Sequence, residues 1–258
     1  LEFRRVLFRS MRGGEHNVAR AYVLYREERA KERARAREAE KAAAAAVPAI
    51  NVTENGVLKP LDGAKLSALV ASACEGLGSA VSAELVMQGM QRDLYDGVPI
   101  EEVRKSLILA ARALIEQDPS YTYVTARLLL HTLRMETLGM EATQADMKTL
   151  YASYLPEFIK KGIAAELLDE RLAGYDLKAL GAALDASRDL KFTYLGLQIL
   201  YDRYFLHIRG QRIELPQVFY MRVAMGLALN EPEGQREARS EEHTSELQSP
   251  CIRMPSSA

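Results

Sequence analysis

The chain is 258 residues long, with formal net charge −1, 48% hydrophobic residues, two cysteines and no tryptophan. That length can bury one sizeable core or two small ones, and near-neutral charge gives no global pull toward nucleic acid or a membrane surface. No apolar run approaches the ~20 residues of a membrane span. Cys74 and Cys251 lie too far apart for a disulfide framework or a metal motif, so a reducing cytoplasmic setting is expected.

The first ten residues and the last twenty do not read as protein sequence shaped by folding. Phe3-Arg4-Arg5-Val6-Leu7-Phe8-Arg9-Ser10 can be encoded by TTC AGA CGT GTG CTC TTC CGA TCT. Arg239-Ser240-Glu241-Glu242-His243-Thr244-Ser245-Glu246 can be encoded by AGA TCG GAA GAG CAC ACG TCT GAA, the exact reverse complement. Both strings resemble a common short-read sequencing adapter, and Arg253–Ala258 fits its far end. Residues 1–10 and 239–258 are therefore expected to be adapter translation, which removes Cys251 and His243 from any functional reading.

Next, 15–46 reads as one long helix. Val18, Tyr22 and Tyr25 start an apolar stripe that fades after Arg26, and Glu27–Lys41 alternates acids and bases as a solvated helix would. Pro48 ends it. Residues 50–62 read as two short strands around Asn55-Gly56, which supplies the positive-φ turn of a hairpin. Helices are expected at about 63–75, 81–95, 99–117, 119–138, 143–154, 164–173, 176–187 and 192–201. Asp118-Pro119, the Thr143/Asp146 pair and Pro99 followed by Glu101 and Glu102 act as start signals. Residues 204–208 and 211–215 read as a second hairpin about Arg209-Gly210, and Pro216 opens a last helix to about 229. The expected fold is mainly α with two small β-hairpins.

Chemistry-bearing patterns are missing. There is no CxxC, HExxH, GxGxxG or GxxxxGK[ST], so no catalytic and no metal-ligating residue is assigned. His16, His131 and His207 sit apart inside apolar segments and read as packing or surface residues. Cys74 falls on the apolar side of a helix and reads as a small core residue. Tyr121, Tyr123, Tyr194, Tyr201 and Tyr204 have helical or strand spacing and read as core.

Three stretches carry a resemblance. The strongest is Lys191-Phe192-Thr193-Tyr194-Leu195-Gly196-Leu197-Gln198-Ile199-Leu200-Tyr201-Asp202-Arg203-Tyr204-Phe205, continued by Arg212–Gln217 and Met221–Ala228. The second joins Leu94-Tyr95-Asp96-Gly97, Ala110–Glu116 and Tyr121–Leu128. The third is Val18–Arg26. Together they resemble the N-terminal region of class I ribonucleotide reductase large subunits, ahead of the catalytic barrel. Val18–Arg26 is similar to the closing helix of an ATP-cone.

The resemblance implies a chain that lacks the family's catalytic cysteines. It implies 11–49 as the closing helix of a truncated ATP-cone plus linker and 50–140 as a second, ATP-cone-like helical region. It implies 141–238 as the N-terminal helical domain and hairpin leading to the barrel. Functional cones carry a Lys-Arg pair before Asp-Gly; here Thr53 and Glu54 precede Asn55-Gly56. The family's hydroxyl after Tyr-Asp-Gly is Ile100, and an expected lysine is Met135. Lys65 alone survives as a candidate phosphate ligand, so the cone is expected to be degenerate.

The full enzyme would use ATP and dATP as effectors and a radical cofactor held by the small subunit. Its partners would be the rest of the large subunit, a second large subunit and the small subunit. A helical interaction module outside any enzyme, or a cobalamin-dependent class II reductase, are the alternatives. With no barrel to cover it, the last helix, 216–229, is expected to expose apolar surface.

Overall fold

The computed structural model describes residues 50–248 except 55 and 233, together with Tyr25 and Arg29. The helix expected over 15–46 otherwise lies outside the described residues, as do His16 and Cys251. Tyr25 and Arg29 are themselves helical, and the Arg29 Nε donates to the Tyr25 hydroxyl across one turn at 3.2 Å.

The chain opens with β1 (Asn51–Glu54) and β2 (Val57–Pro60), antiparallel, with Glu54 paired to Val57. That register leaves two residues in the turn, and Gly56 takes φ +78°, as the Asn-Gly pair demanded. A short third strand, β3 (Val98–Pro99), adds parallel to β1, so the expected hairpin is one edge of a three-stranded sheet. Two residues give no alternation to read, which is why the sequence hid it. Asp96 secures the junction by accepting from the Asn51 backbone N–H at 2.8 Å.

Helices α1 (Gly63–Cys74), α2 (Ala83–Gln91), α3 (Ile100–Ala113) and α4 (Tyr121–Leu138) follow. Asp62 caps α1 by accepting from the Lys65 N–H at 2.9 Å. Gly139, at φ +68°, closes α4 in the left-handed region. The α4 helix is the shared beam: it packs against α1 and α3 and also against the elements that come after it.

Helix α5 (Met147–Ala164) departs from expectation. The sequence suggested a helix over 143–154 and another over 164–173. Instead one helix runs through Pro156, and 170–174 forms a 3-10 turn. Proline lacks the N–H that would bond the carbonyl four residues back, which is Ala152. Helix α6 (Leu177–Ala183) lies against that carbonyl: a Cβ on Gly181 would sit 2.8 Å from the Ala152 oxygen. Glycine is what permits this contact.

A 3-10 turn at Ala186–Lys191 leads into α7 (Tyr194–Arg203), capped by Thr193. Strands β4 (His207–Ile208) and β5 (Gln211–Arg212) form the second hairpin. Arg209 (φ 51°) and Gly210 (φ 83°) make its tight turn, and the strands are shorter than expected. Helix α8 (Pro216–Leu227) follows, then α9 (Arg236–Gln248).

One hydrophobic core runs from Val52 to Met225, including Tyr121, Tyr151, Phe158 and Leu197. The tyrosines divide: Tyr121 is buried, Tyr123, Tyr194 and Tyr201 are half-buried, and Tyr204 is 55% exposed. Tyr204 is therefore surface and not core, because it follows the end of α7 while Phe205 takes the inward position. The expected exposure of the last apolar helix is also corrected. Val218, Met221, Ala224 and Met225 on α8 are buried and α9 packs on the helix, leaving Leu227 exposed.

Candidate functional site

The positions expected to form a phosphate site converge where the β2-β1-β3 sheet meets α1, α3 and α4. Burial depresses the pKa of His131 on α4, and Arg104, Glu141, Arg134 and Lys65 all act on it electrostatically. Arg104 and Lys65 also act on Glu54, so these side chains share one neighbourhood.

Their charges are already spent on each other. Lys65 Nζ lies 2.6 Å from a Glu141 carboxylate oxygen, with both side chains about half exposed. Lys59 donates to Glu54 at 3.0 Å, and that contact lowers the Glu54 pKa. Thr53 donates its hydroxyl to the Gly97 carbonyl at 3.0 Å, inside the sheet. Ile100 is half-buried and packs against the core, and Met135 is half-buried on α4.

Arg104 on α3, half-buried, was missed by the sequence reading. The available signal was its position one helical turn beyond Ile100. The site therefore holds two ion pairs, a largely neutral imidazole and one further guanidinium. A triphosphate placed here would meet the Glu54 and Glu141 carboxylates and compete with them for the two lysines.

Cys74 is a free, half-buried thiol at an open groove between α1 and α2. Burial and the Glu84 carboxylate push its pKa up while Arg127 pulls it down, which leaves a neutral thiol in a groove lined by Glu75 and Glu84. Among the described residues no three His, Cys, Asp or Glu side chains cluster as a metal site would need. Burial and the Glu136 carboxylate push Tyr201 up to about 12, so its hydroxyl serves as a donor to Glu136 at 3.0 Å. His207 lies exposed in β4. No helix among the described residues is long and apolar enough to cross a membrane.

Comparison with known proteins decides the family. A family described as "Ribonucleotide reductase, all-alpha domain" matches residues 190–251. The "Ribonucleoside-diphosphate reductase subunit alpha" of Chlamydia trachomatis is 40% identical over 220 residues, covering 84% of this chain and 21% of that protein. The protein of the same name from Chlamydia pneumoniae is 38% identical over 227 residues, 86% of this chain and 22% of its own length. This chain belongs to the ribonucleotide reductase alpha-subunit family.

The relationship extends to the "Ribonucleoside-diphosphate reductase 1 subunit alpha" of Escherichia coli, 30% identical over 163 residues, 62% of this chain. The chain spans about a fifth of the length of the curated relatives it matches, 21% for the first of them. The all-alpha match begins just before α7 and runs through the second hairpin, α8 and the whole of α9 to residue 251, so it also takes in residues 239–251, where the coding pattern pointed to adapter translation.

Proposed function

We propose that this chain is the N-terminal regulatory and structural region of a ribonucleoside-diphosphate reductase alpha subunit. The complete enzyme would reduce ribonucleotides to deoxyribonucleotides in the cytoplasm, with ATP and dATP as effectors. It would pair with a second alpha subunit and with a small subunit carrying the radical cofactor. In that enzyme the 50–140 unit serves as an ATP-cone-like scaffold that has lost its nucleotide, and α4 hands its position on to the following domain.

The observation that carries the degenerate-cone reading is the Lys65–Glu141 pair at 2.6 Å. The remaining phosphate ligand is neutralised within the fold, and Glu54 stands where a positive charge would be needed. Isothermal calorimetry on protein showing a cooperative melt tests it. Neither ATP nor dATP is expected to bind at micromolar concentration; micromolar affinity for either would overturn the reading.

A further inference from the structure

Helix α7 is held on one side. Leu197 is fully buried, the helix packs on α4, and the Tyr201 hydroxyl donates to Glu136 of α4. The opposite side carries Leu195, 68% exposed, Ile199, 43% exposed, and Arg203, spaced four residues apart and so in one row along the helix. Tyr204, 55% exposed, continues the apolar surface and leans on the half-buried Phe219, with ring centroids 6.4 Å apart. Single exposed apolar residues are ordinary, but a group of them rimmed by charge marks an interaction surface.

The rim is basic. Arg203 ends the row, and the second hairpin adds exposed His207 and Arg209 just beyond it. None of the three has a hydrogen-bond or ion-pair partner among the described residues, whereas Arg212 of the same hairpin is paired with Glu136. Asp202, the nearest acid in sequence, already accepts from the Gln198 amide at 2.8 Å. Arg209 takes φ 51°, a conformation that Gly, Asn and Asp adopt far more readily, so the turn keeps a cation where its backbone disfavours one. The same charges argue against a second copy of α7 as the occupant. Two such helices crossing antiparallel at Leu195 and Ile199 would bring Arg203 toward Lys191, exposed ahead of α7, and a parallel crossing would bring Arg203 toward itself.

We propose that the outer face of α7 and the adjoining hairpin form a docking surface for an acidic amphipathic helix of a partner protein. Its apolar side chains pack on Leu195, Ile199 and Tyr204, and its carboxylates meet Arg203 and Arg209. This surface is independent of the nucleotide reading of the 50–140 unit.

Fluorescence anisotropy on the full chain with two labelled helical peptides tests this. Both peptides carry leucines four residues apart on one face; one flanks them with glutamate, the other with lysine. The glutamate peptide is expected to bind about tenfold more tightly or better, and to weaken as salt is added. Leu195→Lys is expected to weaken that binding several-fold, and so is Arg203→Ser combined with Arg209→Asn. Both variants should keep the melting midpoint, since these positions are exposed and Asn accepts the left-handed turn. Equal affinity for the two peptides, no binding of the glutamate peptide at ~1 mM, or binding that neither variant weakens would overturn the proposal. Preference for phosphatidylserine vesicles over the glutamate peptide would assign the surface to a membrane and overturn it too.

Discussion

Replacing Arg134 with methionine is expected to lower the unfolding free energy by about 3–5 kcal/mol, the usual cost of stranding one member of a buried ion pair. The stranded group is Asp189, 1% exposed, in the 3-10 turn between α6 and α7. Its Oδ2 accepts from the Arg134 guanidinium at 3.0 Å and from the Tyr151 hydroxyl at 2.9 Å, and its Oδ1 accepts from the Gln217 amide at 2.8 Å. Burial pushes the Asp189 carboxyl up, and Arg134, Gln217 and Tyr151 pull it back toward the ionised form. Burial also pushes Tyr151 well above its ordinary value, so the phenol remains a donor.

One carboxylate thereby ties α4, α5 and α8 to the turn that carries it. Gln144 closes the arrangement, accepting from Arg134 and donating to the Ala186 carbonyl, both at 2.6 Å. Urea denaturation of Arg134→Met beside the unaltered chain measures the loss. A change below 1 kcal/mol would mean that the hub is not what locks α4 to the following helices.

Arg222→Met is the second large perturbation, again about 3 kcal/mol or more. Glu214, fully buried ahead of α8, accepts from Arg222 at 2.6 and 3.2 Å and from the Leu206 N–H at 3.0 Å. The pair pins the second hairpin to α8. Burial already pushes the Glu214 carboxyl up, and Arg222 is the main opposing influence. Without it, the folded-state pKa rises further above the unfolded value. The folded form then binds the extra proton, so stability is retained below the unfolded pKa and lost as pH climbs through the folded one. The variant's deficit should therefore grow as pH rises from about 4, the ordinary carboxylate range, upward. A deficit that is flat or shrinks over that range would contradict the assignment.

Much of the helical layout was legible because it rests on local signals. Pro99 with Glu101 and Glu102 opens α3, Pro216 opens α8, and Gly56 and Gly210 supply positive φ at their turns. What escaped depended on partners distant in sequence. β3 exists only because β1 lies beside it, and α5 continues through Pro156 with α6 packed at the freed Ala152 carbonyl. Asp189 shows no local sign that it will be buried, since its partners are 28 to 55 residues away.

The candidate site divides similarly. The departure from the ligands that the resemblance implies, a Lys-Arg pair, a hydroxyl and a lysine, was visible in Thr53 and Glu54, Ile100, and Met135. The neutralisation of Lys65 by Glu141, and the presence of Arg104, required the fold. The long 15–46 helix stays an expectation of its charge pattern.

We propose that residues from Arg239 onward are foreign to the reductase sequence, on the reverse-complementary coding of Phe3–Ser10 and Arg239–Glu246 and against a family match that runs on to residue 251. Sequencing genomic DNA of the source across codon 238 tests it most directly. The frame is expected to run on past Ala238 into further reductase alpha-subunit sequence without Arg239–Ala258. Genomic DNA in which Arg239–Ala258 follow Ala238 directly and meet a stop codon would contradict it.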